Sequence, residues 1–452
     1  MPRSRSTTLA SSSVDPGLTE AATRIIHKLL SPFEGALALR LWNDVTHSFG
    51  QRVGQGAPSF TLVLRDPAVL RDLVRQRAPI ALADAYFHGR LDVEGDLYAA
   101  LGLKRHFQNL SLSGRERAGL MLDALRLAFM PTHKNASAGA VRATHQFTHD
   151  HSPESDRAAI THHYDVSNDF YRIFLDERMV YSCAYFHADT DTLELAQRQK
   201  LDHICRKLRL QPGERLLDIG CGWGALVIWA AQHYGVHAHG VTLSQVQLDE
   251  ARRRISAAGL ADRVTVELRD YRALEGEGVY DKVSSVGMFE HVGLANLAQY
   301  HATVHRVLKP NGLFLNHGIT HEEDGWQPSV DTEFINRYVF PDGELDRVSS
   351  ILAGMERARF EIQDVENLRT HYARTLRHWV SRLEARHDAA VAHVSEATYR
   401  VWRLYMAASA LEFESGGTAI HQILASRRPD SRPYPQPVPL TRGDLYDRKN
   451  AC

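Results

Sequence analysis

The run Leu217-Asp218-Ile219-Gly220-Cys221-Gly222-Trp223-Gly224 carries the clearest chemical signal in the chain. Glycines spaced by two after an apolar segment let backbone approach a ligand where a Cβ would clash. A GxGxG turn alone is weak, because dinucleotide-binding loops use the same parts. Asp218 just ahead of the glycines, and a third glycine one place early for GxGxxG, favour S-adenosylmethionine, although Ala225 would still fill the last place of a dinucleotide loop. A second cluster, His145, His149 and His151, lies in a polar segment with no partner cysteine. Its spacing fits no common zinc pattern, so a solvated linker is the preferred reading and no metal site is expected.

The elements that must position the glycine turn follow from periodicity. Strands are expected at Arg215–Ile219, Val236–Thr242, Val264–Leu268, Lys282–Val286 and Gly312–His317. Helices are expected at Ala225–Tyr234 and Ser244–Ala258. Strands alternating with helices imply an α/β, doubly wound, mostly parallel Rossmann-like sheet that binds ligand at the carboxyl ends of its strands. Ahead of it, residues 18–48 carry apolar positions read at helical spacing, including Leu29, Leu30, Leu37, Leu39 and Leu41. Ser59–Asp66 alternates as a strand, residues 67–103 return to helix punctuated by Gly89 and Gly95, and 112–130 form an amphipathic helix. The expected division is a disordered tail 1–17, a smaller N-terminal α+β accessory domain 18–132, a linker 133–160, a catalytic domain 161–426 and a Pro/Arg-rich tail 427–452 running extended over the surface.

Composition narrows the function classes. The chain has 452 residues and a net charge of −1, which argues against bulk nucleic-acid binding. Residues 1–130 hold 16 Lys/Arg against 12 Asp/Glu, a slight basic bias compatible with an anionic membrane surface or with chance. No apolar run reaches the roughly 18–20 residues of a membrane span. The 4 cysteines show no CxxC spacing, so neither a zinc ribbon nor a disulfide framework is indicated, and a reducing cytoplasm is expected.

A set of longer motifs is more specific. His163-Tyr164-Asp165-Val166-Ser167-Asn168-Asp169-Phe170-Tyr171 precedes Met179-Val180-Tyr181-Ser182-Cys183-Ala184-Tyr185. Gly287-Met288-Phe289-Glu290-His291-Val292-Gly293, Phe314-Leu315-Asn316-His317-Gly318-Ile319, Asn336-Arg337-Tyr338-Val339-Phe340-Pro341 and Tyr372-Ala373-Arg374-Thr375-Leu376 follow. From about residue 160 to 425 the chain resembles the cyclopropane-fatty-acyl-phospholipid synthases and their mycolic-acid relatives, which are class I S-adenosylmethionine-dependent methyltransferases. The segment AYFHGRLDVEGDLYAAL resembles the accessory, lipid-binding domain of the long phospholipid-acting members.

The resemblance implies methylene transfer from S-adenosylmethionine to a cis double bond of a phospholipid acyl chain. The alkene attacks the sulfonium methyl and leaves a carbocation; a base then removes a methyl proton and the ring closes, with water excluded. The base it implies is a bound bicarbonate held by Cys183, Glu290, His317, the Ile319 backbone and Tyr372. Tyr372 and His317 can donate to the anion, whereas Glu290 would repel it unless it meets bicarbonate's own O–H. Each has a plainer reading: Cys183 as an apolar filler or a nucleophile, His317 as a satisfied core histidine, Glu290 as an arginine partner, Tyr372 as a core tyrosine. Tyr181, Tyr185, Phe186, Phe289, Tyr338 and Tyr372 could stabilise a cation through their ring faces, with packing the alternative.

For the cofactor, the resemblance implies contacts from Tyr181, Ser182, Asp218, Gly220, Cys221, Gly222, Trp223 and Gly224. Family members usually end the second strand with an acidic residue that holds the ribose hydroxyls. This strand ends Gly240-Val241-Thr242-Leu243-Ser244, so Thr242, Ser244 and Gln247 are expected to supply those contacts, and Tyr271 and Arg272 those to adenine; a surface loop is the alternative for both. The expected protein is a peripheral, cytoplasmic enzyme that contacts unsaturated phospholipid and no nucleic acid, and the resemblance to the long family members implies a homodimer. Rival products from the same cation are a methylene or methyl branch or an alcohol; a rival class is a non-catalytic lipid-binding protein. Nucleic-acid methylation is disfavoured by charge and by the lack of a D/N-PP-Y/F motif after the fourth strand.

Overall fold

The computed structural model describes residues 16–50, 57–75, 78–127, 151–152, 154–156, 167–323, 325 and 343–446. Two compact units are present: residues 1–141 with 396–400, and residues 142–395 with 401–452. Most of the expected linker, with His145, His149, the motif residues His163–Val166 and Tyr338, lies outside the described residues.

The N-terminal unit is a four-stranded sheet with helices packed on it. Helix α1 (Pro16–Leu30) is followed by β1 (Leu37–Arg40) and β2 (Thr46–Phe49), so the helical reading of 18–48 holds only as far as Leu30. Leu37, Leu39 and Leu41 recur every second residue, all buried, which is strand periodicity. The hairpin between them closes on Asn43, whose Oδ1 accepts the Val45 N–H at 3.2 Å, with Asp44 in the left-handed region at φ 62°. After β3 (Phe60–Leu64) come α2 (Ala68–Arg75), α3 (Ala78–Phe87), β4 (Leu91–Gly95), α4 (Leu97–Leu101), α5 (Leu103–Asn109) and α6 (Gly114–Leu127). The helical reading of 67–103 thus missed β4, which pairs with β3 between the two glycines that punctuate the segment. The sheet order is β2-β1-β3-β4, with β1 and β3 parallel and the outer pairs antiparallel.

The second unit carries a seven-stranded sheet. Helices α7 (Asn168–Phe174) and α8 (Leu193–Lys207) lead into β5 (Arg215–Ile219), α9 (Ala225–Tyr234), β6 (His237–Thr242), α10 (Gln245–Ala257), β7 (Val264–Leu268) and β8 (Tyr280–Val286). Then follow α11 (Leu297–Val307), β9 (Leu308–His321), α12 (Val348–Arg357), β10 (Phe360–Asn367), α13 (Arg369–Ala385), α14 (His387–Val391), α15 (Glu396–Ser415) and β11 (Thr418–Arg427). The order is β10-β11-β9-β8-β5-β6-β7; β5 to β9 run parallel, β11 pairs antiparallel with β9, and β10 at the edge pairs antiparallel with β11 and so runs with the parallel strands. The expected doubly wound parallel sheet is therefore present, with its direction of winding reversing between β5 and β8, where such sheets place ligands. Beyond the β11 strand the chain runs without regular structure as far as a short turn of helix, Gly443–Tyr446. Val438 and Leu445 are buried there.

Replacing Leu39 by Ala should destabilise the N-terminal unit by about 2–5 kcal/mol, read from hydrogen exchange of the β1–β4 amides. A loss under about 0.5 kcal/mol, the range of surface positions, would contradict the buried strand.

Candidate active site

The carboxyl ends of β5, β6 and β8 open into a cleft. It is lined by Tyr181, Ser182, Asp218, Gly220, Cys221, Gly222, Trp223, Thr242, Gln247, Tyr271 and Arg272, eleven of the thirteen residues expected to bind cofactor. Gly224 and Ser244 do not line it; they sit one step behind, as the residues that begin α9 and α10. Gly220, Gly222 and Gly224 all take positive φ (80°, 53° and 81°), which is why the turn needs glycine. Cys221 fits its buried place because residue 240 on the neighbouring strand is glycine: a Cβ there would stand 2.8 Å from the cysteine sulfur. Trp223 donates its indole N–H to Asn168 Oδ1 at 2.7 Å, tying the start of α7 to the glycine turn.

Asp218 is buried and accepts the Ser284 hydroxyl at 2.5 Å; burial pushes its carboxyl up to about 6 against that hydrogen bond. Thr242 donates to Gln247 Oε1 at 2.8 Å and accepts the Ser244 N–H, fixing the Gln247 amide where a ribose carboxylate partner is lacking. Tyr271 has a buried hydroxyl with no hydrogen-bond partner among the described residues, and burial pushes it up to about 12. Arg272 lines the cleft with its donors already engaged: Asp270 takes Nε and Nη2, Asp156 takes Nη2 at 2.8 Å, and the His151 carbonyl takes Nη1 at 2.9 Å. Its contribution is to clamp His151, Asp156 and Asp270 at the cleft wall.

One lining residue escaped the sequence reading. Lys200 is 3% exposed, donates to Ser182 Oγ at 2.9 Å and forms no ion pair among the described residues. Burial lowers its ammonium to about 8. Its signal was a lysine inside the buried stripe Leu193, Ala196, Gln197, Leu201, Ile204 of α8. Asp176 and Asp218 favour its charged form without pairing directly with it, which leaves the ammonium able to take an anionic end of the ligand. S-adenosylmethionine has one, its carboxylate. With the unpartnered Tyr271 hydroxyl and the glycine cradle, the residues present fit this cofactor.

The five expected catalytic residues do not line the cleft; they begin where its lining stops, at Ser182–Cys183 and Met288–Glu290. Glu290 stands on the turn after β8 and accepts the Ile319 N–H at 2.8 Å through Oε1, while Oε2 is buried with no partner among the described residues. Burial pushes this carboxyl up to about 7, opposed by the Ile319 N–H. That N–H is therefore spent on Glu290, since a buried carboxyl needs a donor. His317 is two residues earlier on β9 and fully buried; its Nδ1 faces the Gln422 amide nitrogen at 3.2 Å, a contact in which Nδ1 accepts when the ring proton is on Nε2. Nε2 has no partner among the described residues, and burial keeps the ring neutral.

Cys183 directs its thiol at the Ala184 and Leu368 carbonyls, 3.3 and 3.8 Å away, and burial drives its pKa far up, so it is a neutral thiol and a poor nucleophile. The same Leu368 carbonyl takes the Tyr372 N–H at 3.0 Å, and the Leu368 N–H goes to the Ile420 carbonyl at 2.9 Å. Ile420 is the cross-strand partner of Ile319. Backbone bonds thus link Cys183 and Tyr372 to Ile319 and Glu290 through one strand pair. Of the aromatic candidates, Tyr185 is stacked between His203 and His371 (4.2 and 4.7 Å) and donates to Glu366, and Phe186 stacks on His378. These two are packing and network residues. Phe289 lies against Gly318, where a Cβ would come within 2.1 Å of its ring. Tyr181 stacks on Trp379 at 5.2 Å with its edge in the cleft wall. His151 pairs with Asp156 at 3.1 Å, and no metal-ligand cluster occurs among the described residues.

The comparisons with known proteins agree with this geometry. Residues 151–423 match the family model described as mycolic acid cyclopropane synthetase. A probable fatty acid methyltransferase of Pseudomonas putida is 40% identical over 415 residues, covering 91% of this chain and 96% of that one. The cyclopropane-fatty-acyl-phospholipid synthase of Escherichia coli strain K12 is 41% identical over 265 residues, 59% of this chain and 66% of that one. Among solved structures, the mycolic acid cyclopropane synthase CmaA1 complexed with SAH and CTAB is 33% identical, with a TM-score of 0.56 over 60% of this chain and 98% of its own. A match over well more than half of the sequence, on the unit that carries the cleft, settles the kinship: the chain belongs to the mycolic acid cyclopropane synthetase family, within the S-adenosylmethionine-dependent methyltransferases.

Proposed function

We propose that this protein is a peripheral, cytoplasmic cyclopropane-fatty-acyl-phospholipid synthase, transferring a methylene to cis double bonds of phospholipid acyl chains. The observation that supports it best is a pair of buried atoms with no hydrogen-bond partner among the described residues: Glu290 Oε2, on the turn after β8, and His317 Nε2, on β9 two residues before the Ile319 whose N–H Glu290 accepts. One is a carboxyl held near neutrality, the other a neutral N–H donor. S-adenosylmethionine, when bound, supplies an electrophilic methyl group. Bicarbonate, when bound, supplies a base that needs no side chain to change charge.

The chain's own residues would do the rest. His317 Nε2–H donates to an anion, Glu290 Oε2 orients its hydroxyl, and Tyr372 and Cys183 complete the enclosure from α13 and the segment before α8. The Ile319 N–H holds Glu290 in place. Lys200 and Ser182 secure the carboxylate end of the cofactor, the glycine turn its sulfonium side, and Gln247 and Tyr271 its nucleoside. Burial of the whole set keeps water from a cation on the acyl chain.

A second reading keeps every residue role up to methyl transfer and changes which proton is lost, giving a methyl or methylene branch. The near full-length likeness to a probable fatty acid methyltransferase favours it. Purified protein with S-adenosylmethionine and mono-unsaturated phospholipid vesicles decides between them by mass spectrometry of the released acyl chains. A cyclopropane ring supports the first reading and a branch the second. Failure to release S-adenosylhomocysteine from any unsaturated lipid would overturn both and leave a non-catalytic lipid binder.

Glu290→Gln should lower kcat by about 100-fold or more while leaving S-adenosylmethionine affinity within about twofold, because Glu290 serves the base and not the cofactor. Equal losses in both would remove it from that role. The same carboxyl is raised from 4.5 to about 7, so the folded state binds more protons and the wild type loses stability relative to Glu290→Gln as pH rises through that interval. Denaturant unfolding at pH 5 and pH 8 should show about 1–3 kcal/mol of this difference; a constant gap would contradict the burial argument. Lys200→Met should raise KM for S-adenosylmethionine roughly tenfold or more and abolish discrimination against its decarboxylated form. Retained discrimination would place the carboxylate elsewhere.

A further inference from the structure

Helix α6 of the N-terminal unit has two apolar faces where packing needs one. Leu120, Ala124 and Leu127 are buried in that unit's core. On the opposite side Met121, Leu122 and Leu125 are 47%, 62% and 54% exposed, next to exposed Ala118. At about 100° per residue these four share one side of the helix. Met121, Leu122 and Leu125 are three of the eight large apolar side chains exposed among the described residues, and the only ones of these grouped on one helix.

Charge on α6 is sorted as sharply. Arg115 and Arg126 flank the exposed apolar side on one edge and Arg117 on the other. Both acidic residues turn toward the core edge and are engaged there, Glu116 by Lys28 at 3.1 Å and the Ser113 N–H at 2.8 Å, Asp123 by Arg24 at 2.7 Å. Arg126 shares Asp123 at 3.3 Å, while Arg115 and Arg117 form no ion pair among the described residues. An apolar stripe bordered by arginines and free of carboxylates fits an interface with hydrocarbon in its middle and anionic groups at its margins.

We infer that the Ala118–Met121–Leu122–Leu125 side of α6 is a docking surface for an anionic lipid bilayer, its leucines entering the headgroup–acyl boundary and Arg115 and Arg117 pairing with phosphates. The inference rests on the reading of the protein as a peripheral enzyme, but it concerns the N-terminal unit and its test is separate from that of the cleft. The test is co-sedimentation of the full chain with vesicles of phosphatidylcholine alone, or with about one third phosphatidylglycerol, at low and high salt. Two variants are compared, Leu122→Ser with Leu125→Ser, and Arg115→Glu with Arg117→Glu. The wild type should bind the anionic vesicles in a salt-sensitive manner, and each double variant should bind at least about tenfold more weakly while keeping wild-type affinity for S-adenosylmethionine. Wild-type-like binding by either variant, or wild-type binding indifferent to phosphatidylglycerol and salt, overturns the inference. So does a wild-type dimer that the leucine variant splits without loss of vesicle binding, which would give the surface to a second copy. Because the charge-reversed residues are exposed, that variant remains informative should the leucine variant unfold. Loss of S-adenosylmethionine binding in the wild type would instead count against the cleft.

Discussion

A carboxyl group shut away from water with a single backbone donor is the constraint on which the site depends. Glu290 keeps one oxygen on the Ile319 N–H and leaves the other without a partner among the described residues. Such an arrangement costs free energy in an empty protein and would be discarded by a fold with no use for it. The cost falls if the carboxyl is protonated, which is what burial achieves near neutral pH, or if a ligand meets the open oxygen. His317 stands on the same face of β9 two residues before Ile319, with its Nδ1 against the Gln422 amide of β11 and its Nε2 without a partner among the described residues.

The antiparallel edge of the sheet is therefore more than a cover. Strand β11 pairs with β9 along nine registered positions, and that register puts Ile420 opposite Ile319 and Gln422 opposite His317. Through Leu368, Ile420 also anchors the start of α13 and with it Tyr372, and the Leu368 carbonyl receives the Cys183 thiol. A slip of one residue in this pair would turn every one of these groups to the other face. The cleft depends on the parallel half of the same sheet, so the cleft and the Glu290 carboxyl meet just beyond the end of β8. Lys200 and Asp218 show that the cleft, too, keeps charge in poorly solvated places, where small changes in ligand charge have large effects.

How far the sequence reveals this depends on the range of the interactions. The strand β5 and the helices after it were legible because local periodicity and three glycines specify them without outside help. Thr242, Gln247 and Tyr271 were legible because they follow strands whose ends define the cleft. The hairpin at Leu37–Phe49 was misread although its leucines alternate by two, because leucine favours helix and the apolar run continues from α1. Strands β10 and β11 went unseen, since an antiparallel edge strand is specified by its partner. Arg272 was placed at the cleft correctly, but its engagement by Asp270, Asp156 and the His151 carbonyl is a matter of distant segments that no spacing encodes. Lys200 was hidden for the opposite reason: a lysine reads as surface until its helix is packed.

The most direct test of the central claim is carbon-13 NMR of labelled bicarbonate added to the protein with S-adenosylhomocysteine present. The account predicts a second, protein-bound carbonyl resonance that vanishes in Glu290→Gln and in His317→Ala, and activity that falls when carbon dioxide is stripped from the buffer. A spectrum showing only free bicarbonate, with turnover indifferent to its removal, would contradict it.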